Sequence, residues 1–188
     1  MFAIINFATD SSITKEPQVT LQNKIRIASV SLILCAASRL PGQQNAAMPG
    51  AFRIIANSHT HSITTEDLKA LPHHTVTVHN PHTSADETYT GVPLMDLLAK
   101  EGVPHGHDLR GKALSDYIVA TGSDGYKAVL ALAEVDPDFH PGEVLVASQM
   151  DGKPLDARTG PFRLIVTEDK RPARSVRNLV SIEVESAK

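Results

Sequence analysis

The chain has 188 residues, of which 41% are hydrophobic and 21% charged, a balance typical of a globular protein with one or at most two domains. Its formal net charge of −3 argues against a general nucleic-acid binder, because such proteins are usually basic. The sequence contains one cysteine, Cys35, which excludes an internal disulfide, a cysteine zinc cluster and a CxxC redox pair.

The N-terminal part of the chain has the pattern of a secretory signal peptide. Basic residues at Lys24 and Arg26 precede an apolar stretch at residues 27–37, and small and polar residues follow up to Ala47. We therefore expect residues 1–47 to be an N-terminal extension with a signal peptide, and residues 48–188 to form the exported domain. The alternative is a short buried helix. The expected location is periplasmic or secreted, and Cys35 leaves a lipid anchor as a minor option.

Alternating and apolar runs predict a domain in which strands dominate. Strands are predicted at residues 52–56, 75–79, 87–90, 116–120, 126–130, 144–147, 162–166 and 179–184. A helix is expected to begin at Thr64 or Thr65, where a hydroxyl can cap free amides, and a second to run from Pro93 to Gly102. No βαβ alternation or repeat is visible. The fold class is therefore α+β, a single β-rich mixed domain with short helices.

Histidine is the residue type that first suggests a metal site. The nine histidines include the pairs His59/His61, His73/His74 and His105/His107, and imidazole binds zinc or copper near neutral pH. The spacing matches no HExxH motif, and most of these histidines fall in predicted loops, where polar residues are common. A nucleophile elbow, a P-loop and a dinucleotide fingerprint are also missing from the sequence.

The C-terminal half contains a basic segment. Residues 158–177 hold six Lys or Arg against two Asp or Glu. Within it, a loop at residues 171–177 places Arg174 and Arg177 beside Ser175, before the last predicted strand. Guanidinium groups bind phosphate through paired charge-assisted hydrogen bonds, so the pattern indicates a local anion site. The alternative is a set of solvated surface arginines.

Several blocks of this sequence resemble the molybdopterin-binding domain of the sulfite oxidase family. The similar blocks lie at residues 89–98, 123–126, 144–147, 150–152, 154–155, 160–161, 163–166 and 173–177. Together they cover about residues 60–186. This resemblance implies the family's β-rich fold in a small stand-alone form, without room for a heme domain or a dimerisation domain.

The resemblance also implies a cofactor and a set of site residues. The cofactor is molybdopterin, in the form of the molybdenum cofactor. The cofactor-binding residues would be Arg171, Arg174, Ser175 and Arg177, and Tyr126 would lie on the substrate side as the candidate catalytic residue. The partners would be a small-molecule substrate and an electron acceptor, neither of which the sequence identifies.

Two departures from the family pattern bear on function. The family's enzymes coordinate molybdenum through a cysteine, but the corresponding strand, at residues 75–80, contains none. His79 or its neighbours occupy the approximate position, and His79 is either a metal ligand or an ordinary strand histidine. In addition, Asn178 replaces a tryptophan.

Three hypotheses follow from these observations. The first is an exported molybdopterin-binding oxidoreductase that lacks the cysteine metal ligand. The second is a non-catalytic pterin- or anion-binding module on the same fold. The third is a His-rich periplasmic metal-binding protein.

Overall fold

The computed structural model describes residues 50–187, and the predicted leader at residues 1–47 lies outside this range. The described residues form ten strands: β1 Ala51–Ala56, β2 His59–Thr64, β3 His74–Asn80, β4 Ala85–Pro93, β5 Asp116–Gly122, β6 Lys127–Ala131, β7 Val144–Met150, β8 Lys153–Pro154, β9 Arg163–Val166 and β10 Leu179–Ser186. The α-helices are α1 Thr65–Lys69 and α2 Leu94–Lys100. Short 3₁₀ turns lie at Gly106–Asp108, Gly111–Ser115, Leu132–Glu134 and Pro172–Arg174. Within residues 50–187, no helix has the length and apolar character needed to cross a membrane.

The strands form two five-stranded sheets. The first sheet has the order β2-β1-β10-β5-β6, and its β1 and β10 are parallel neighbours, while its other pairs are antiparallel. The second sheet has the order β3-β4-β7, with β8 and β9 both pairing with the far side of β7. The predicted β5–β6 hairpin is present. The pairing of β1 with β10 joins the first and last strands of the described region.

The main hydrophobic core combines residues from both sheets and from α2. Phe52 of β1 packs edge to face against Phe162, just before β9, with their ring centroids 5.0 Å apart. Leu94, Leu97 and Leu98 of α2 are also buried in this core. These contacts bury the apolar face of the first sheet against one face of the second.

The second sheet also has buried side chains on its other face. Tyr89, Leu145, Ala147 and Ile165 form a smaller buried cluster there. Because side chains alternate along a strand, this cluster and the main core lie on opposite faces of β7 and β9. Every residue of β9 is accordingly buried, including Arg163.

The structure corrects one expectation about the histidines. His59 and His61 were expected in a loop but lie on β2, which pairs with β1 along its full length. Ile63 is the one buried residue of this edge strand, so hydrophobic patterning could not reveal the strand. The structure joins β1 to β2 by a two-residue turn, in which Asn57 and Ser58 both have positive φ, of 51° and 64°, as a type I′ hairpin requires.

The predicted helix starts are close to the observed ones. Thr64 caps α1, since its Oγ1 accepts a hydrogen bond from the backbone N–H of Asp67 while the Asp67 carboxylate accepts one from the Thr64 N–H. Pro93 was expected inside the first turn of the second helix. Instead it ends β4 and occupies the capping position of α2.

Candidate functional site

A cavity of about 700 Å³ lies against the outer face of the second sheet. Three parts of the chain line it: the β3–β4 hairpin, the turn between β5 and β6, and β9 with the loop that follows it. That loop, residues 167–178, connects β9 to β10 and is called the β9–β10 loop below. It contains the basic loop identified in the sequence.

The cavity brings together five of the six residues that the sequence analysis singled out. They come from separate parts of the chain: His79, Tyr126, Arg171, Ser175 and Arg177. The tertiary fold brings them together, because His79 and Arg177 are far apart in the sequence. Arg174 is not among the residues that line the cavity.

Arg163 is a cavity-lining residue that the sequence analysis did not select. Its side chain is only 6% exposed, and its guanidinium lies 5.0 Å from the centre of the Tyr89 ring. Its Nη1 donates a hydrogen bond to the Tyr89 hydroxyl, whereas its Nε is buried with no partner among the described residues. Burial lowers the pKa of Arg163 from its usual value. The available signal was an arginine inside an otherwise apolar strand, a residue type that is seldom buried.

A hydrogen-bonded chain connects Arg163 to a carboxylate on the cavity wall. The Tyr89 hydroxyl donates to Glu87 Oε2 at 2.6 Å, and Asn80 Nδ2 donates to Glu87 Oε1 at 2.6 Å. Burial, followed by the hydrogen bond to Glu87, raises the pKa of Tyr89 well above its usual value. The hydroxyl therefore stays protonated, accepting from Arg163 while it donates to Glu87.

Arg174 binds two carboxylates of this chain. Its Nε and Nη2 donate to Asp169 at 3.0 and 2.6 Å, and its Nη1 donates to Glu134 Oε1 at 3.0 Å. The hydrogen bonds that Arg174 donates to Asp169 and Glu134 raise its pKa, although burial opposes this change. The predicted contact of Arg174 with a cofactor remains a prediction, and the contacts that the structure does give it are internal.

Two hydroxyl groups fix the β9–β10 loop at the cavity. Ser175 Oγ accepts a hydrogen bond from the Val166 N–H at 3.2 Å, which leaves its own hydrogen free to donate. The Tyr126 hydroxyl donates to the Ala173 carbonyl at 2.7 Å. Ser175 can thus donate to a ligand, while the hydroxyl hydrogen of Tyr126 is occupied by the loop.

The charges on the cavity wall favour an anionic ligand. The cationic lining residues are Arg163, Lys170, Arg171 and Arg177. The lining carboxylates are Glu87, Asp124 and Asp169. Asp169 is paired with Arg174, Glu87 accepts hydrogen bonds from Tyr89 and Asn80, and Asp124 accepts one from the Tyr126 N–H. Arg171 and Arg177 form no ion pair within residues 50–187, so their guanidinium groups are free to bind phosphate.

The histidines do not form a metal site in the described part of the chain. His61, His74 and His79 each pair with one carboxylate, Glu101, Glu143 and Asp86 respectively. Within residues 50–187, no three His, Cys, Asp or Glu side chains lie close enough together to hold a metal ion. The hypothesis of a His-rich metal-binding protein therefore gains no support from these residues.

The described domain matches a known protein family. Residues 51–188 match the family model described as the oxidoreductase molybdopterin binding domain. The chain belongs to this family. The resemblance inferred from the sequence is thus confirmed, and so is molybdopterin as the cofactor that this domain type binds.

A solved structure confirms the fold of this molybdopterin-binding domain. The sulfane dehydrogenase SoxCD from Paracoccus pantotrophus superposes with a TM-score of 0.57 at 19% sequence identity. The match covers 73% of this chain but only 38% of that chain. A search of the curated proteins found no match. The β-rich α+β fold class is therefore confirmed.

The chain from Arg163 to Glu87 generates a prediction about stability. Tyr89→Phe should lower the free energy of unfolding by about 1–3 kcal/mol, because it leaves a buried guanidinium N–H and a carboxylate oxygen without a partner. Urea denaturation measures this loss. Tyr117→Phe is the matched control, because Tyr117 makes the same contact with Glu185 at 2.7 Å on the surface and its loss should change little. Equal losses in the two variants would contradict the role given to Tyr89.

Proposed function

We propose that this chain is an exported molybdopterin-binding domain of the sulfite oxidase type that serves as an oxidoreductase without a cysteine metal ligand. The observation that carries the proposal is Arg163, a buried guanidinium on the cavity wall whose Nε lacks a partner among the described residues. Leaving a buried charged donor unpaired costs stability, so a ligand that accepts from it is the natural partner.

The residues around the cavity fit a ligand that carries a phosphate. Arg171 and Arg177 can each provide two parallel N–H donors to phosphate oxygens, and the Ser175 hydroxyl can add an O–H donor. Arg163 would bind a second polar group against the sheet. When bound, the molybdenum cofactor supplies two-electron oxygen-transfer chemistry, while these residues hold and orient it.

The domain provides no thiolate for the metal. The only cysteine, Cys35, falls within the predicted leader, and β3 carries His79 where the family resemblance implies a cysteine. A neutral imidazole donates less charge than a thiolate and is not an equivalent ligand. We therefore infer that retention of the cofactor and the rate of oxygen transfer depend on different parts of this domain.

The missing thiolate also favours a second function, a non-catalytic module that binds a pterin or another anion. The two functions differ in metal content and turnover. An oxidoreductase purified from a host that makes the cofactor should contain molybdenum and pterin in equal amounts and oxidise a small substrate such as sulfite, at a rate well below that of a cysteine-bearing relative. A binding module should contain the pterin or anion and show no turnover.

The phosphate-binding role can be tested at Arg177. Arg177→Ala should weaken the binding of inorganic phosphate by roughly 10- to 150-fold, because a charge-assisted pair contributes about 1.5–3 kcal/mol. Isothermal titration calorimetry measures this affinity. The pterin content of protein purified from a cofactor-producing host should fall in parallel. The fold should survive, since the side chain is exposed.

Arg158→Ala is the matched control, because Arg158 is an exposed arginine of the same basic segment that does not line the cavity. Its phosphate affinity should equal that of the wild type. Equal affinities for the wild type and for Arg177→Ala would place the phosphate elsewhere and refute the proposed site.

His79 provides a separate test of metal coordination. Its Nδ1 lies 2.9 Å from Asp86 Oδ1 on an exposed hairpin, and the described residues place no group of three metal-ligating side chains around it. We expect His79→Ala to leave the ratio of molybdenum to pterin unchanged, as measured by elemental analysis and pterin fluorescence. His74→Ala, another exposed histidine paired with a carboxylate, is the control. A ratio that falls in His79→Ala alone would identify His79 as a ligand.

The export proposal rests on the basic, apolar and small-residue pattern of residues 24–47. Protein recovered from outside the cytoplasm of its native host should lack at least residues 1–37, as measured by intact mass. Recovery of the full-length chain in the cytoplasmic fraction alone would rule out secretion.

A further inference from the structure

We propose that Arg174 is a positioning residue, which holds the β9–β10 loop in its ligand-binding shape, and that the anion is bound by its neighbours. This inference rests on the proposed phosphate site and assigns a different task to one of its predicted members. It follows from the partners of Arg174, from its place relative to the cavity, and from the other contacts of the loop.

The first observation is the geometry of the ion pairs. Arg174 Nε and Nη2 donate two hydrogen bonds to the Asp169 carboxylate, of 3.0 and 2.6 Å, and these bonds close the turn from residue 169 to residue 174. Its Nη1 reaches Glu134, 40 residues earlier in the chain, at 3.0 Å. Arg174 thus ties the loop both to itself and to the 3₁₀ turn that follows β6.

The second observation is that Glu134 is itself held in place. While Oε1 accepts from Arg174, Oε2 accepts from the Ala131 N–H at 2.8 Å. Burial tends to raise the pKa of Glu134, but the hydrogen bonds from Ala131 and Arg174 outweigh it and lower this pKa. Glu134 is therefore an anionic anchor, fixed to the backbone at the end of β6.

The third observation concerns the direction of Arg174. Residues 169–173, 175 and 177 line the cavity, whereas Arg174 does not. Arg174 together with its two carboxylate partners forms a cluster that has no net positive charge with which to attract a phosphate. Arg171 and Arg177, which form no ion pair within residues 50–187, do carry such a charge.

The fourth observation is that other contacts hold the same stretch of loop. Tyr126 donates to the Ala173 carbonyl at 2.7 Å, and the Leu164 N–H donates to the Val176 carbonyl at 2.9 Å. Arg174 lies between these two contacts. The loop is therefore fixed at residues 173, 174 and 176, and the cationic side chains at 171 and 177 project from a fixed backbone. Such preorganisation increases affinity because less freedom is lost on binding.

Glu134→Gln distinguishes a positioning role of Arg174 from direct contact with the anion, because the two roles predict opposite changes in phosphate affinity. Glu134 does not line the cavity, and a neutral amide weakens its bond to Arg174. If Arg174 positions the loop, the affinity for inorganic phosphate should fall by about tenfold, which corresponds to the cost of ordering one or two side chains. If Arg174 contacts the anion, freeing it from a carboxylate should raise the affinity.

The experiment compares Glu134→Gln, Arg174→Lys and the wild type by calorimetry with inorganic phosphate and by hydrogen exchange of residues 164–178. The expected result is weaker binding and faster exchange of the loop in both variants. Arg177→Ala should weaken binding without changing loop exchange. Glu143→Gln, which removes an exposed carboxylate paired with His74, is the control and should change neither quantity.

Unchanged or tighter phosphate binding by Glu134→Gln, or unchanged loop exchange, would overturn the positioning role. A wild-type protein that does not bind phosphate would instead contradict the proposed function. The exchange data would still decide whether Arg174 orders the loop, so the two failures are distinguishable.

Discussion

The burial of one guanidinium in a strand explains much of the arrangement around the cavity. Arg163 lies in β9, where each neighbouring side chain is apolar and buried, and a charge in such a place is costly unless it finds partners. The opposite residue on β7 is Ala147, whose small side chain leaves space for the arginine. Tyr89 faces the guanidinium with its ring and its hydroxyl, and Glu87 and Asn80 complete the chain of hydrogen bonds.

In the β9–β10 loop, by contrast, the cationic side chains are exposed and the backbone that carries them is held in place. Several basic side chains in a short segment repel one another, and a loop without anchors would spread them apart. Pairing one arginine with two carboxylates neutralises the repulsion at that point and attaches the loop to the end of β6. The remaining cations, at positions 170, 171 and 177, are then left for a ligand.

The sequence predicted the fold better than the site. Strands with alternating β-branched residues and helices with capping residues were recognisable locally, whereas β2 was not, because an edge strand needs only one buried residue. Arg171, Arg174 and Arg177 look alike in sequence. Arg174 differs because it pairs with Asp169, five residues earlier, and with Glu134, which is 40 residues away. The contact with Glu134 is not visible in any local sequence pattern. The sequence shows Arg163 as a charged residue within an apolar strand, but it does not show the partner of this charge, Tyr89, which is 74 residues away.

The two walls of the cavity come from different elements, and this bears on the missing thiolate. The cationic wall is built by β9 and the β9–β10 loop, whereas the β3–β4 hairpin, where the family resemblance implies the cysteine position, contributes His79 and Glu87. Arg163 reaches the hairpin through Tyr89 and Glu87, so the hairpin has a structural task that is independent of metal coordination. A substitution at the ligand position can therefore change the redox chemistry while the hydrogen bonds of the hairpin and the cationic wall persist. Under the proposed function, a cavity that binds phosphate is for this reason physically compatible with the lack of a cysteine ligand.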